Sequence, residues 1–433
     1  MLSLRNILIG IGIFAAVFSM LIFSGRVPVF QGTKSPEGEV KMWGTLPETQ
    51  MQGVIDAYNR NAKTYRVSYR YIPEASFNQT ILEALANRVG PDLILAPYQN
   101  ILAQTSRIYP FPIASMGEKA YKDAFVDGAT VFYGSQGVFA LPVSIEPLVL
   151  FYNRSLLSKH GIVSPPATWS EVAEVTPKLT VSRGGTFLES SIALGAPTTP
   201  YAKDILMAMV AQLGQSPVVV QYDTLGTPYT KVTVNDPVHE GDDIRPLSSA
   251  SRFFVQFADP SQPTYTWNQS MGKADDAFVA ERLAMYIGYS GELPLLRARN
   301  PRASFEMTYL PQTSGYTSFA TGMRMYGVAT LKTTTNFQAA FATEAGFAGV
   351  DTAAVIASAV GGVPALRSYV GAQGTNEVIT RSMLVARGWV DINANATDEY
   401  IRTMISDILN YRYEVTDAVT MFAGRLTDIY SSH

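Results

Sequence analysis

Glu146 stands alone in an apolar stretch, Ala140–Lys159 (ALPVSIEPLVLFYNRSLLSK), with Pro147 beside it. A carboxylate there is costly to bury unless it is paired, hydrogen-bonded or turned to water, so it belongs either to a surface turn or to a polar cleft. Aromatic and amide side chains gather at two other places, Trp43-Gly44-Thr45 and Tyr98-Gln99-Asn100. Rings offer flat apolar faces, while carboxylates and amides accept and donate hydrogen bonds. The set suits recognition of a polar solute. Bond-breaking chemistry finds less support. There is no cysteine, which removes thiol nucleophiles, disulfides, Cys-built zinc sites and attachment through an acylated Cys. Of the three histidines, His160, His239 and His433, none has a second His at metal-ligand spacing. All three are expected to be ordinary surface residues, and no metal or cofactor is expected. Asp242-Asp243 is one acidic pair, short of the oxygen set that Ca²⁺ takes, and reads as a solvated loop. Gly288-Tyr289-Ser290-Gly291-Glu292 departs from a serine-hydrolase nucleophile elbow at its last position, where Glu replaces Gly. A glycoside hydrolase needs two carboxylates about 5–9.5 Å apart, and no sequence feature pairs Glu146 with a second acid.

The elements that must carry these residues follow from composition and periodicity. At roughly 150 residues per domain, 433 residues allow two or three domains, and 47% hydrophobic content fills their cores. Thirty-three Lys and Arg against 36 Asp and Glu leave a formal charge of -3, without the basic excess that grips phosphate backbones; nucleic acid is not an expected partner. Charged residues are only 16%, against an average of about 25%. The surface is expected to be neutral and polar. Glu39–Trp43 reads as a strand, followed by Met51, Val54, Ile55 and Tyr58 at helical spacing. Arg66–Ile72 alternates, with Val67, Tyr69 and Tyr71 on one face. Ser76 is a candidate N-cap for a helix with Phe77, Ile81, Leu82 and Leu85 on one side, and Asp92–Ala96 is an apolar run entered through Gly90-Pro91. That order, β-α-β-α-β, is the pattern of a parallel sheet with covering helices. Ligands of such sheets bind beyond the carboxyl ends of the strands, where Trp43 and Tyr98 fall. Later, Leu148–Tyr152 is a buried run, 214–246 holds two strands with polar loops, and 398–410 and 415–429 carry helical stripes.

The N-terminus sets location. Asn6–Gly25 carries no charge and is long enough to cross a bilayer as one helix. Arg5 precedes it and Arg26 and Lys34 follow, a weak bias for a cytoplasmic N-terminus with the rest outside. A cleaved signal peptide is the rival, although such cores usually span about 7–15 residues and end in a small-x-small site; a retained anchor fits the longer run better. Residues 27–38 read as a tether.

One string carries more. Pro142-Val143-Ser144, four residues, Val149-Leu150-Phe151-Tyr152-Asn153 and then Leu157-x-Lys159 resembles the signature of the family 1 extracellular solute-binding proteins of ABC importers, the maltose-binding-protein type. Similar segments follow in the family's order: Gly161-Ile162 with Pro165-Pro166-Ala167-Thr168-Trp169-Ser170-Glu171, Ala277-Phe278 with Ala284-Met285-Tyr286-Ile287-Gly288-Tyr289-Ser290, Tyr309-Leu310-Pro311-Gln312, and Gly361-Gly362-Val363-Pro364-Ala365-Leu366. The resemblance implies an α/β, two-lobed periplasmic-binding-protein (type II) fold with three hinge crossings, and the uncharged Asn6–Gly25 run puts one N-terminal transmembrane helix before it. The crossings would fall near Pro142–Glu146, Tyr309–Gln312 and Gly361–Leu366. The domain plan is then 1–26 membrane anchor or signal segment, 27–38 linker, 38–143 plus 312–361 lobe one, and 147–309 plus 366–433 lobe two.

The same resemblance implies a non-enzymatic extracytoplasmic receptor that closes its lobes on a neutral, carbohydrate-like solute and presents it to ABC permease subunits, and the N-terminal span adds the expectation that it is membrane-anchored. A sugar ring has an apolar C–H face and a hydroxyl rim, matched by aromatic faces and by carboxylates or amides. Carried over residue by residue, Trp43 is a stacking platform, Glu146 a hydroxyl acceptor, and Tyr289 and Ser290 follow from the Ile-Gly-Tyr-Ser strand end. Tyr98, Trp267 with Asn268, and Tyr326 are placed by strand-end position and looser similarity. Each aromatic is either platform or core. Gly291 stands where family members often carry an aromatic. With no Cys for lipid attachment, the Asn6–Gly25 span takes over that role. The other open readings are an exported, membrane-anchored glycoside-processing enzyme and a binding or adhesion protein with no transport role.

Overall fold

The computed structural model describes residues 38–431 apart from 62–64, 112–115, 135, 223–227, 240, 242 and 372–375. The Asn6–Gly25 run, the 27–37 part of the tether, Asp242 and His433 lie outside the described residues. Among those described, no single helix is long and apolar enough to cross a membrane. The chain divides into two units. One takes the described residues up to Glu146 with Arg324–Leu384, the other Pro147–Met323 with the described residues from Val385 onward.

Unit one opens with strand β1 (Gly38–Gly44), helix Glu48–Asn61, β2 (Tyr65–Tyr71), helix Glu74–Ala86 and β3 (Leu93–Pro97). β1 is central and parallel to both neighbours, with Trp43 opposite Arg70 on β2 and Ile94 on β3. β3 is buried at every position, as its uninterrupted apolar run demands for a strand covered on both faces. Met323–Thr330 then pairs antiparallel with β3, setting Tyr326 opposite Pro97. The second helix begins at Glu74, with Pro73 at the N-cap. Ser76 is therefore inside the first turn, its hydroxyl donating to the Pro73 carbonyl, because Pro73 fixes its own φ and needs no N–H there.

Unit two is organised on the second half of a 13-residue strand, Leu141–Asn153. Leu283–Tyr289 and Phe305–Tyr309 both pair antiparallel with its 148–153 segment, and Thr186–Ile192 lies parallel to Leu283–Tyr289. Flanked on both edges, Leu148, Val149, Leu150 and Phe151 are fully buried, each contributing roughly 1.5–3 kcal/mol. The C-terminal stripes form helices Ala394–Leu409 and Val415–Ser431, which bury Ile401, Met404, Ile405 and Ile408, and Ala418, Val419, Phe422, Leu426 and Ile429. They pack on each other and on helices Ala202–Gln212 and Pro246–Val255, completing an apolar core. A satisfied polar knot crosses this core. Trp169 Nε1 donates to Gln212 Oε1 at 2.8 Å, and Gln212 Nε2 donates to the carbonyls of Pro311 and Ala320 at 3.0 and 2.9 Å. The 214–246 segment forms a hairpin, Val218–Tyr222 with Pro228–Val232.

Candidate functional site

In unit one, chemistry-bearing residues converge because the carboxyl ends of β1, β2 and β3 meet the start of the antiparallel strand Met323–Thr330. Trp43 is 8% exposed. Its cross-strand partner Arg70 places its guanidinium carbon 4.6 Å from the indole centroid, a cation–π arrangement that covers one ring face. The turn after Trp43 admits only glycine, since a Cβ on Gly44 would sit 2.6 Å from both the Leu95 carbonyl oxygen and the Tyr69 hydroxyl. That hydroxyl straps the turn, donating to the Leu46 carbonyl at 2.7 Å and accepting from the Leu46 N–H at 3.1 Å. Burial pushes the Tyr69 phenol well above its ordinary value, so it stays a neutral donor.

Glu146 is 2% exposed, and its Oε2 lies 3.7 Å from Nη1 of Arg324. Arg324 and Tyr326 share one face of their strand, two residues apart. Burial pushes the Tyr326 phenol up to about 12; Arg324 opposes the rise, while Glu74 and Glu146 add to it and a bond with Thr45 lowers it. Thr45, Glu74, Glu146 and Arg324 thus all act on the Tyr326 phenol. Gly361 ends helix Val350–Val360 in the left-handed region at φ +79°. The next residue, Gly362, leaves room for the carboxylate: a Cβ there would lie 2.9 Å from Glu146 Cγ. Tyr98, 2% exposed, starts the short helix Tyr98–Leu102 directly after β3.

In unit two, Tyr289 and Ser290 are buried at the end of strand Leu283–Tyr289. The Tyr289 N–H donates to Glu292 Oε1 and the Tyr286 hydroxyl to Glu292 Oε2, both at 2.8 Å. Gly288 allows this, because a Cβ would meet Glu292 Oε1 at 2.8 Å. Tyr201, held at φ +56°, sets its ring edge-on to Tyr289 with centroids 4.9 Å apart. The Ser290 hydroxyl is buried without a hydrogen bond among the described residues. Trp267 and Asn268 are engaged elsewhere. Trp267 is 1% exposed, its ring packed as core and its backbone N–H donating to the Phe257 carbonyl. Asn268 accepts from the Ser270 N–H at 2.9 Å and donates to the Tyr265 hydroxyl at 2.7 Å, which spends its amide on a local turn.

Arg70, Glu74, Arg324 and Tyr201 are the members of these clusters that the sequence reading leaves out. Only strand register brings Arg70 to Trp43, and the alternation along Arg324-Met325-Tyr326 is the one signal that points to Arg324. His160 is likewise more than a plain surface residue, with its Nε2 2.7 Å from Glu189 Oε2. Among the described residues no group of three or more metal-ligating side chains occurs.

A family model described as bacterial extracellular solute-binding protein matches residues 53–370. The maltodextrin-binding protein MdxE of Bacillus subtilis is 26% identical over 149 residues; the matched stretch spans about a third of the length of that relative, 33%. The cyclic alpha-maltosyl-1,6-maltose binding protein of Arthrobacter globiformis superposes with a TM-score of 0.71 at 15% identity, covering 91% of this chain and 99% of that one. The GacH receptor of Streptomyces glaucescens, solved unliganded and with acarbose, gives a TM-score of 0.69 at 18% identity over 92% of this chain and 100% of that one. These likenesses establish the mixed α/β solute-binding-protein fold. By the span of the family match, the chain belongs to the bacterial extracellular solute-binding proteins.

Proposed function

We propose that the chain is the extracytoplasmic receptor of an ABC importer for a neutral oligosaccharide, held at the membrane by Asn6–Gly25. The observation that carries this reading is the unit-one cluster. An indole fixed on one side by Arg70 stands at the same sheet end as a nearly inaccessible carboxylate beside Arg324. The two arginines are matched by Glu74 and Glu146, so the cluster has no charge excess to attract an ionic solute. A sugar presents what it lacks, an apolar ring face and neutral hydroxyls. Trp43 takes the face, Glu146 and Tyr326 take hydroxyls, and Tyr98 borders them. Unit two carries groups of the same chemistry, Tyr289, Ser290 and Tyr201. Bound solute shifts the population toward the form it prefers by its differential affinity, and that form is what permease subunits read. The names of the maltodextrin-binding relative and the acarbose-binding receptor are in keeping with this class.

The test is calorimetric titration of the full chain in detergent with maltose, maltotriose and mannobiose. At least one is expected to bind, and Trp43→Ala or Glu146→Gln to weaken it by roughly ten- to a hundredfold, as loss of an aromatic contact or a charged hydrogen bond of about 1.5–3 kcal/mol implies. No binding at millimolar sugar rejects the reading. Turnover of the sugar on prolonged incubation supports an enzyme instead.

A further inference from the structure

A tyrosine held where glycine or asparagine is the ordinary choice marks a second place on unit two. Tyr411 lies in the connection between helices Ala394–Leu409 and Val415–Ser431, at φ +53°. A bulky side chain keeps that left-handed conformation only where its surroundings impose it. Core packing is not the cause, for the residue is 73% exposed; the helix's own C-terminal closure is, with the Arg412 backbone N–H donating to the Asp407 carbonyl at 2.9 Å and the Tyr411 backbone N–H to the Ile408 carbonyl at 3.0 Å, a position where a large exposed ring is not needed for the turn. The Tyr411 hydroxyl donates to Asp259 Oδ1 at 2.8 Å, which ties the exposed side chain to Asp259. Burial alone would raise the Asp259 carboxyl, but hydrogen bonds from Ser261, Tyr411 and Gln262 hold it below the usual carboxylate range. Its Oδ2 receives only a long contact, 3.5 Å, from Gln262 Nε2 among the described residues, and so keeps accepting capacity.

Beside this ring is a cavity of about 600 Å³ whose lining mixes apolar Phe253, Val255 and Leu409 with polar Gln256, Gln262 and Tyr413. That volume falls in the range of small-ligand sites, about 300–1,000 Å³. Arg252 is outnumbered there by Asp259 and Glu414, which disfavours anions. We propose that this cavity is a second saccharide-binding site, taking one or two pyranose rings of a neutral glycan, with Tyr411 under the C–H face and Asp259 Oδ2 accepting from hydroxyls. It is built wholly within unit two and does not depend on Trp43 or Glu146.

Saturation-transfer NMR of the full chain in detergent tests it, with maltose, cellobiose and mannobiose as probes and Trp43→Ala/Glu146→Gln as the background. In that background, ring C–H protons of at least one disaccharide receive saturation, with millimolar affinity. Adding Tyr411→Asn, which suits the left-handed backbone, weakens this at least tenfold while the melting temperature holds or rises. Three results overturn the proposal: no saturation in the background, saturation unchanged by Tyr411→Asn, or a fall in melting temperature, which would make the ring a structural prop. Failure here with sugar binding retained in the otherwise native chain rejects the second site and leaves the receptor reading standing.

Discussion

Replacing Gly362 by alanine joins fold to function at a single methyl group. Its Cβ would fall 2.9 Å from Glu146 Cγ and 2.9 Å from the Ile145 carbonyl oxygen, about 0.6 Å inside the closest comfortable separation of roughly 3.5 Å. The Ile145 backbone cannot simply retreat, because Val363 is paired with it in an antiparallel ladder. The Glu146 side chain is the part that can move, and moving it breaks its approach to Arg324. Overpacking of this kind costs about 1–3 kcal/mol. Displacing a carboxylate that accepts from a solute hydroxyl costs a further 1.5–3 kcal/mol or so of binding, roughly ten- to a hundredfold in affinity. Calorimetry with the sugar that the native chain binds, and a thermal melt without sugar, read the two effects separately. Gly53→Ala is the control. It lies inside helix Glu48–Asn61 with nothing within 4 Å of its Cβ, and should stabilise by about 0.5–1 kcal/mol with affinity untouched. Gly362→Ala with native affinity and native melting temperature would refute the claim that this glycine exists to seat Glu146.

Two further outcomes follow from buried charges. Lys203, 4% exposed, bonds to Asp391 Oδ2 at 2.9 Å and the Ala394 carbonyl at 3.2 Å; burial acts to lower its pKa, but Asp391, Asp204 and Asp398 raise it on balance. Lys203→Met strands the Asp391 carboxylate and should cost about 3–5 kcal/mol, whereas Lys203→Met/Asp391→Leu should recover most of it; equal melting temperatures for the single and double variants would contradict the pairing. Burial pushes the Glu344 carboxyl well above the usual range, against hydrogen bonds from the Thr330 hydroxyl and the backbone of Thr330 and Leu141. The native state therefore keeps this proton to higher pH than the unfolded chain, and its contribution to stability falls as pH rises above the unfolded value of about 4.3, by up to about 1.4 kcal/mol per unit. Glu344→Gln should flatten that slope in urea midpoints measured across the acid-to-neutral range, and an unchanged slope would count against a buried neutral acid.

How much of this was legible in the sequence depended on whether the signal was local. The third strand and the two C-terminal helices could be read because an unbroken apolar run and three-to-four spacing record burial, and those residues are buried; the alternation of the second strand located the strand but misjudged its face, since Val67 is buried, Tyr69 half-buried and Tyr71 exposed. The N-cap of the second helix lies three residues before the expected one, since Ser76 offered a capping side chain while Pro73 already supplied the required backbone geometry. Partners across the sheet were not legible. Nothing near Trp43 in sequence names Arg70; the two meet only through the register of parallel strands, and a slip of one residue would send Arg70 to the other face. Tyr201 was hidden for another reason, as a left-handed backbone at a residue that rarely adopts it leaves no periodic trace.

Those unread partners alter what the readable residues can do. A chain with only 16% charged residues sets Arg70 against Trp43 and Arg324 beside Glu146 in one unit. An indole with a guanidinium on one face has a single face left for stacking, which makes the platform directional. Beside a guanidinium, the buried Glu146 side chain does not bring an uncompensated charge to the site, and its oxygens are the natural acceptors for a neutral hydroxyl. If Arg324 serves this purpose, Arg324→Gln should weaken sugar binding, and adding it to Glu146→Gln should cost little more than Glu146→Gln alone, because the two act through one carboxylate. Additive losses would instead assign Arg324 a direct contact with the solute, and no loss would remove it from the site.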